Sequence, residues 1–344
     1  MTQQSRGLVR VSKTLTWHSS AGMPATAVVT DVRSMADVPA WLKDIAAEVE
    51  EAVHAHGAVV IRGLPMTEVE HFAAIRNVLM SERTPYREKA TPRSELGQDV
   101  FSSTDLPPSQ PIRMHNENSY TLTFPGLLMF GCLTAPADGG ATPTADCRKV
   151  LQALPESVVA RMREVGWQLL RVYSEHISLD WRTSFATQDP QQVERYCAEN
   201  LIGFAWRDDG SLRTAQIRPG IIAHPVTGEQ TWFNHMLFWN SWALDEDVRE
   251  ALLDEFGPDG LPFGTAFGDG GPPSDAELTA IQAAYDSATV RQSWEPGDVM
   301  LVDNILAAHG RDPFRGNRQI VVAMGNPVDL SHCRPGIAPA PAHA

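Results

Sequence analysis

WQLLRVY (167–173), LIGFAW (201–206), TAQIRPG (214–220) and TWFN (231–234) decide the fold. Each is a short run rich in aromatic and aliphatic residues, and turns such as Asp208-Asp209-Gly210 and Thr227-Gly228-Glu229 lie among them. Short runs joined by close turns predict antiparallel strands. Toward the N-terminus, 146–166 reads as one or two helices broken at Pro155, and LLMFGCL (127–133) as a core strand. Further upstream, 27–30 is a short strand candidate. Trp41, Ile45, Val49 and Val53 recur at helical spacing in a helix over 38–57 that Gly57 stops. AVVIRGL (58–64) reads as a buried strand, and 67–80 as a second helix. Toward the C-terminus, helical patterns at 245–256 and 275–287 precede strands at 299–303 and 319–324. The alternating βαβ rhythm of a parallel sheet is absent, so the reading is a mainly β sandwich or jelly roll with helical additions.

Two stretches lack periodicity. Residues 81–111 are filled with Pro, Ser, Thr, Arg and Glu and are too long for a routine connection, which makes them the candidate active-site lid. The Pro/Ala-rich tail, 335–344, is expected to be a flexible end.

Composition removes several classes of function. The charge of −14 comes from 42 acids against 28 bases, with no basic stripe for a phosphate backbone, so no nucleic-acid partner is expected. No apolar run approaches the roughly 20 residues that span a bilayer, and 1–13 lacks the apolar core of a signal peptide. The expectation is a cytoplasmic protein with no membrane partner. Four cysteines (Cys132, Cys147, Cys197, Cys333) form no C-x-x-C pair, which favours reduced, packed thiols. Glycine-rich nucleotide motifs are missing as well.

Of eleven histidines, only His115 is followed two positions later by an acid, in RMHNENSY (113–120). On a strand, residues two apart share a face, so His115 and Glu117 can hold one ion while Asn116 points away. Roughly one such triplet is expected by chance in a chain of this composition, so the pair needs support. WEPGDVMLVDN (294–304) and HGRDPFRGNR (309–318) provide it: a turn feeds an apolar strand, His309 follows, and Arg318 lies nine residues beyond. Two imidazoles and a carboxylate on one face of an iron leave three adjacent positions, two for a bidentate oxoacid and one for dioxygen. The oxoacid's far carboxylate is best met by a guanidinium fork. Taken singly, each residue is more often a hydrogen-bonded core or solvated surface group; together they describe a site.

HNENSY (115–120), GGATPTAD (139–146), HPVTGEQTWFNH (224–235) and LVDNILAAHGRDPFRGNR (301–318) resemble the taurine dioxygenase (TauD/TfdA) family of Fe(II)- and 2-oxoglutarate-dependent oxygenases. They are most similar to its branch related to the syringomycin-pathway aspartyl hydroxylase. The resemblance covers about 58–326. It implies a double-stranded β-helix (jelly roll) of the clavaminate synthase-like type in a single catalytic domain over 1–344, with a mixed, largely helical insertion over 147–290. It also implies Fe(II) on His115, Glu117 and His309, with 2-oxoglutarate on Arg318 and the Thr142 hydroxyl and O2 as oxidant. Arg311 is a second candidate for a carboxylate. Most of the wider family carries Asp at the position of Glu117, and the branch it resembles carries Glu. Related halogenases lack this carboxylate, so its presence points to hydroxylation, with desaturation or ring formation as alternatives.

Trp232, Phe233, Asn234 and His235 resemble a segment near the active site, although aromatic core packing explains them equally well. Gln98, Arg113 and Asn118 complete the substrate candidates. The branch implies an amino acid or amino-acid-derived small molecule from natural product biosynthesis, free or on a carrier protein; a free sulfonate or aryloxy acid is the alternative. A non-catalytic jelly-roll binding protein and a zinc hydrolase stay open, as does the oligomeric state, a homodimer among the options.

Overall fold

The computed structural model describes residues 15–20, 23–84, 88, 93–175 and 178–344. The strands of its three main sheets, in chain order, are β1 (His18–Ser20), β2 (Met23–Val28), β3 (Ala58–Arg62), β4 (Glu95–Gly97), β5 (Val100–Ser102), β6 (Ile112–His115), β7 (Thr123–Thr134) and β8 (Thr144–Asp146). β9 (Trp167–Tyr173), β10 (Gly203–Trp206), β11 (Leu212–Arg218), β12 (Phe263–Phe267) and β13 (Thr289–Val290) follow. The last are β14 (Val299–Asp303), β15 (Ala307–Arg311), β16 (Gln319–Asp329) and β17 (Ala340–Pro341).

A large sheet runs β1-β2-β3-β14-β7-β16-β5-β4, and a smaller one runs β13-β8-β15-β6. These are the two layers of a jelly roll. Alternation along the strands explains why the large sheet is apolar on both faces. Val59, Ile61, Met129, Val299, Leu301 and Val321 pack under α1 (Val38–His56) and α2 (Val69–Leu79). Their neighbours Val60, Leu128, Phe130, Met300, Val302 and Val322 form a separate core on the opposite face, joined there by Ala307 of the smaller sheet. An unbroken buried run such as Val299–Asp303 is what two covered faces require.

The chain leaves the small sheet after Asp146 and returns at Thr289, which pairs with Ala145. The excursion carries a third sheet, β10-β11-β9-β12, and its own core around Trp167, Trp232, Phe267 and Tyr285. The predicted strands and helices here are present. α3 (Cys147–Ala153) and α4 (Glu156–Val165) break at Pro155, and α5 (Glu246–Phe256) and α6 (Asp275–Ala288) also form.

Two expectations change. Most of 81–111 lies within the described residues, although 85–87 and 89–92 fall outside them. It contains the hairpin β4–β5, which joins the large sheet where Val321 pairs with Ser102. The tail is no loose end: Ala340 and Pro341 pair with Ile217 and Gln216 of β11, and the Ala342 amide donates to the Ala215 carbonyl at 3.1 Å. Backbone pairing at a sheet edge needs no side-chain pattern and tolerates proline.

Candidate active site

Between the two jelly-roll layers is a cavity whose polar residues include His115, Glu117, His309, Arg318 and Thr142. β6 and β15 are antiparallel and place His115 directly opposite His309. Strand β6 ends at His115, so Glu117 does not reach the site by strand alternation as expected. It sits in the following turn, where Asn118 takes a left-handed φ of 53°. The turn is held by Asn304: its amide nitrogen donates to the Glu117 and Pro125 carbonyls, both at 2.8 Å, and its oxygen accepts from the Glu117 amide at 2.7 Å. Asn116, as expected, points away, into the Asn304 carbonyl at 2.7 Å.

One ligand atom from each of His115, Glu117 and His309 lies within 4.8 Å of the other two, and all three residues are buried. Burial pushes the His309 imidazole well below its ordinary value and lowers that of His115, so both are neutral. The Nδ1 of His115 meets the Arg113 carbonyl at 2.9 Å, which leaves its other nitrogen for a metal. The Nδ1 of His309 is buried with no hydrogen-bond partner among the described residues. Two neutral imidazoles and one carboxylate suit non-haem Fe(II), so the residues fit the ion.

At the other end of the cavity, Arg318 donates to the Gly140 carbonyl (3.1 Å), the Ser103 hydroxyl (3.0 Å) and, at the 3.5 Å limit, Thr142 Oγ1. Thr142 also accepts from the Trp294 indole at 3.3 Å. Arg318 has no acidic partner among the described residues; burial, with Arg311 adding to it, pushes its guanidinium down to about 10, still charged at neutral pH. Gly140 lets the Arg318 stem pass: its φ is +66°, and a Cβ there would stand 3.2 Å from Arg318 Cδ and 2.9 Å from Phe314 Cβ.

The structure sorts the remaining predicted residues. Arg311 borders the cavity, and its two terminal nitrogens donate to the carbonyls of Leu106, Pro107 and Gln110, so it ties down that loop. Asn118 borders the cavity and accepts from the Tyr120 hydroxyl at 3.2 Å. Four candidates lie elsewhere. Gln98 is exposed in the β4–β5 turn. A register shift between β6 and β15 sends Arg113 outward, to Gln282 and the Ala243 carbonyl. Trp232 is fully buried in the core of the insertion. Asn234 caps backbone, donating to the Gly220 carbonyl and accepting from the Met236 amide. Their neighbour His235 is the one of that segment that borders the cavity, stacked on Trp239 with centroids 4.2 Å apart.

Arg93 was not among the predicted residues. It borders the cavity and pairs with Glu117 Oε2 at 2.7 Å. It comes from the aperiodic stretch, where only a contact could have singled it out.

A second trio, His54, His224 and Asp303, also brings ligand atoms within 4.8 Å. Hydrogen bonds account for two of its members, His224 and Asp303, without an ion. His224 Nδ1 accepts from the amides of Val226 and Thr227, its Nε2 donates to Asp303 at 2.9 Å, and the other Asp303 oxygen caps Ile305 and Leu306.

The model of the taurine catabolism dioxygenase TauD, TfdA family matches residues 23–324. The dapdiamide synthesis protein DdaC of Enterobacter agglomerans is 34% identical over 308 residues, covering 90% of this chain and 93% of its own. The chain belongs to the TauD/TfdA family. It is therefore a 2-oxoglutarate-dependent non-haem iron dioxygenase that acts on a small molecule. A clavaminate synthase-like protein of Arabidopsis thaliana is 27% identical over 288 residues, covering 80% of this chain and 83% of its own. PvcB of Pseudomonas aeruginosa superposes with a TM-score of 0.52 at 13% identity, over 94% of this chain and 95% of its own. AAD-2, solved with Mn(II) and N-oxalylglycine, gives 0.53 at 13% identity, over 91% and 97%. At that identity the two structures speak for the fold, the TauD/TfdA jelly roll. No helix among the described residues is long and apolar enough to cross a membrane.

Proposed function

We propose that this TauD/TfdA enzyme hydroxylates an unactivated C–H bond of an amino acid or amino-acid-derived small molecule. His115, Glu117 and His309 hold Fe(II), and Arg318 with Thr142 holds the distal carboxylate of 2-oxoglutarate. The observation that carries this reading is the buried Arg318 guanidinium, without an acidic partner among the described residues, in the same cavity as two neutral imidazoles and a carboxylate. A buried cation surrounded by neutral oxygens is a strong site for an incoming carboxylate.

Bound there, iron would supply the redox chemistry by which dioxygen oxidises 2-oxoglutarate to succinate and CO2, with the second oxygen atom going to the substrate. The chain's own residues supply placement. Cross-strand pairing sets the spacing of His115 and His309, Asn304 fixes the backbone of Glu117, and Gly140 clears the path of Arg318. Phe130 and Phe238 pack against the histidines, with ring centroids 5.3 Å from His309 and 4.6 Å from His115, and exclude water from the centre. Arg93, Ser103 and Thr104 of 81–111 line the cavity, and Arg311 ties down the carbonyls of Leu106, Pro107 and Gln110, so the stretch serves as a fixed cover of the site.

The likeness to a dapdiamide synthesis protein supports an amino-acid-derived substrate, and the retained Glu117 supports hydroxylation. Four buried free thiols suit a reducing cytoplasm. The test is a screen of free and carrier-bound amino acids for succinate release under Fe(II), ascorbate, 2-oxoglutarate and O2. Turnover of a carrier-bound panel alone would place a carrier protein among the partners. Release driven by sulfonates or aryloxy acids, and by no amino acid, would overturn the substrate class.

A further inference from the structure

We propose that Arg93 is a positioning residue for the metal centre: it holds one oxygen of Glu117 so that the carboxylate offers the metal the other alone. The proposal rests on the reading of Glu117 as a ligand.

The need follows from Glu117 itself. A glutamate has one more rotatable bond than the aspartate most of the family carries, so its carboxylate can turn and bind a metal through both oxygens. That would take four positions of six with the two imidazoles, leaving two where a chelating oxoacid and dioxygen require three. The backbone of Glu117 is already fixed by Asn304, at the amide by 2.7 Å and at the carbonyl by 2.8 Å. Only the side-chain torsions are left to set. Arg93 sets them from the far side, its NH2 2.7 Å from Glu117 Oε2, with the two side chains 8% and 7% exposed. A charge-assisted bond in so buried a place holds a carboxylate in one orientation.

Arg93 is itself anchored, its other terminal guanidinium nitrogen donating to Met324 Sδ at 3.5 Å. Five residues upstream, Glu88 is buried, and its carboxylate accepts from the Tyr196 hydroxyl at 2.8 Å. The Glu88 carbonyl accepts from Tyr120 at 3.1 Å and from Arg171 at 3.2 Å. Glu88, from the same part of the sequence, is thus tied to the insertion and to the turn that carries Glu117.

The experiment uses the full chain with Co(II), whose visible spectrum reports its ligand set, and 2-oxoglutarate without turnover. Arg93→Gln is expected to change the Co(II) spectrum before co-substrate is added and to weaken 2-oxoglutarate binding by about 10- to 100-fold, the usual effect of losing a partner of a metal ligand. Arg93→Lys is expected to restore most of both. In a Glu117→Ala background the same Arg93→Gln change is expected to alter neither. Arg93→Met replaces the Gln variant if melting shows that it does not fold. A wild-type spectrum and affinity in Arg93→Gln, or an undiminished effect in Glu117→Ala, would overturn the proposal. Undiminished Co(II) binding in His309→Ala would instead overturn the ligand assignment, and this proposal with it.

Discussion

His115 and His309 are direct partners across antiparallel strands β6 and β15, with ring centroids 4.4 Å apart. Their spacing is set by the sheet ladder rather than by a loop, so the pair is preformed. Replacing either with alanine is expected to remove metal retention while leaving the fold in place. Iron per chain after anaerobic loading and desalting should fall from near one to near zero, with little change in far-ultraviolet circular dichroism. Retention in both variants would mean that the ion sits elsewhere.

Arg318 hydrogen-bonds Gly140, Ser103 and Thr142 and not the histidines, and it is the residue proposed to hold the co-substrate's far carboxylate. Arg318→Lys keeps the charge and loses the planar fork, so the KM for 2-oxoglutarate is expected to rise about 10-fold or more while metal content is unchanged. Thr142→Val removes one hydroxyl and is expected to raise the same KM by a smaller factor, on the order of one hydrogen bond, ~1 kcal/mol. Steady-state kinetics with 2-oxoglutarate as the varied substrate reads both.

Asn304 is the residue that makes the Glu117 turn possible. Asn304→Ala leaves a buried amide and two carbonyls without partners, at about 1–3 kcal/mol each. An overall loss of about 3 kcal/mol is expected in denaturant unfolding of the metal-free protein, together with weaker metal binding. Asn304→Asp is expected to fare little better, because a carboxylate cannot donate to the Glu117 and Pro125 carbonyls.

Glu88 provides a pH signature. Burial raises its carboxyl above the usual value, against the opposing pull of Arg171 and the Tyr196 hydroxyl. Between the unfolded value and the raised folded value the native state holds the extra proton, so this group's contribution to stability falls as pH rises through that window. Glu88→Gln removes the effect. Melting curves from pH 5 to pH 8 should show the variant gaining on the wild type as pH rises; a constant difference would rule out the raised carboxyl.

The jelly roll, and the cluster of His115, Glu117 and His309 proposed to hold iron, were legible because both leave local marks. The apolar runs of β7, β14 and β16 are strands covered on two faces, and His115-x-Glu117 with His309 and Arg318 keeps a recognisable spacing. Other features have no such mark. Glu117 reaches the site through a turn whose geometry depends on Asn304, 187 residues away. Arg93 lies in an aperiodic stretch and is defined only by its contact. The β6 bulge that turns Arg113 outward, and the core position of Trp232 beside the cavity-facing His235, are decided by packing between distant segments. The tail pairs through its backbone, which no side-chain pattern announces.

The most direct test is anomalous diffraction at the iron edge from crystals of the anaerobically loaded protein with 2-oxoglutarate. One strong peak within coordination distance of His115, Glu117 and His309, with the co-substrate's far carboxylate on Arg318, is the predicted result. A peak at His54, His224 and Asp303 instead, or iron bound with Glu117 turned away from it, would contradict the account.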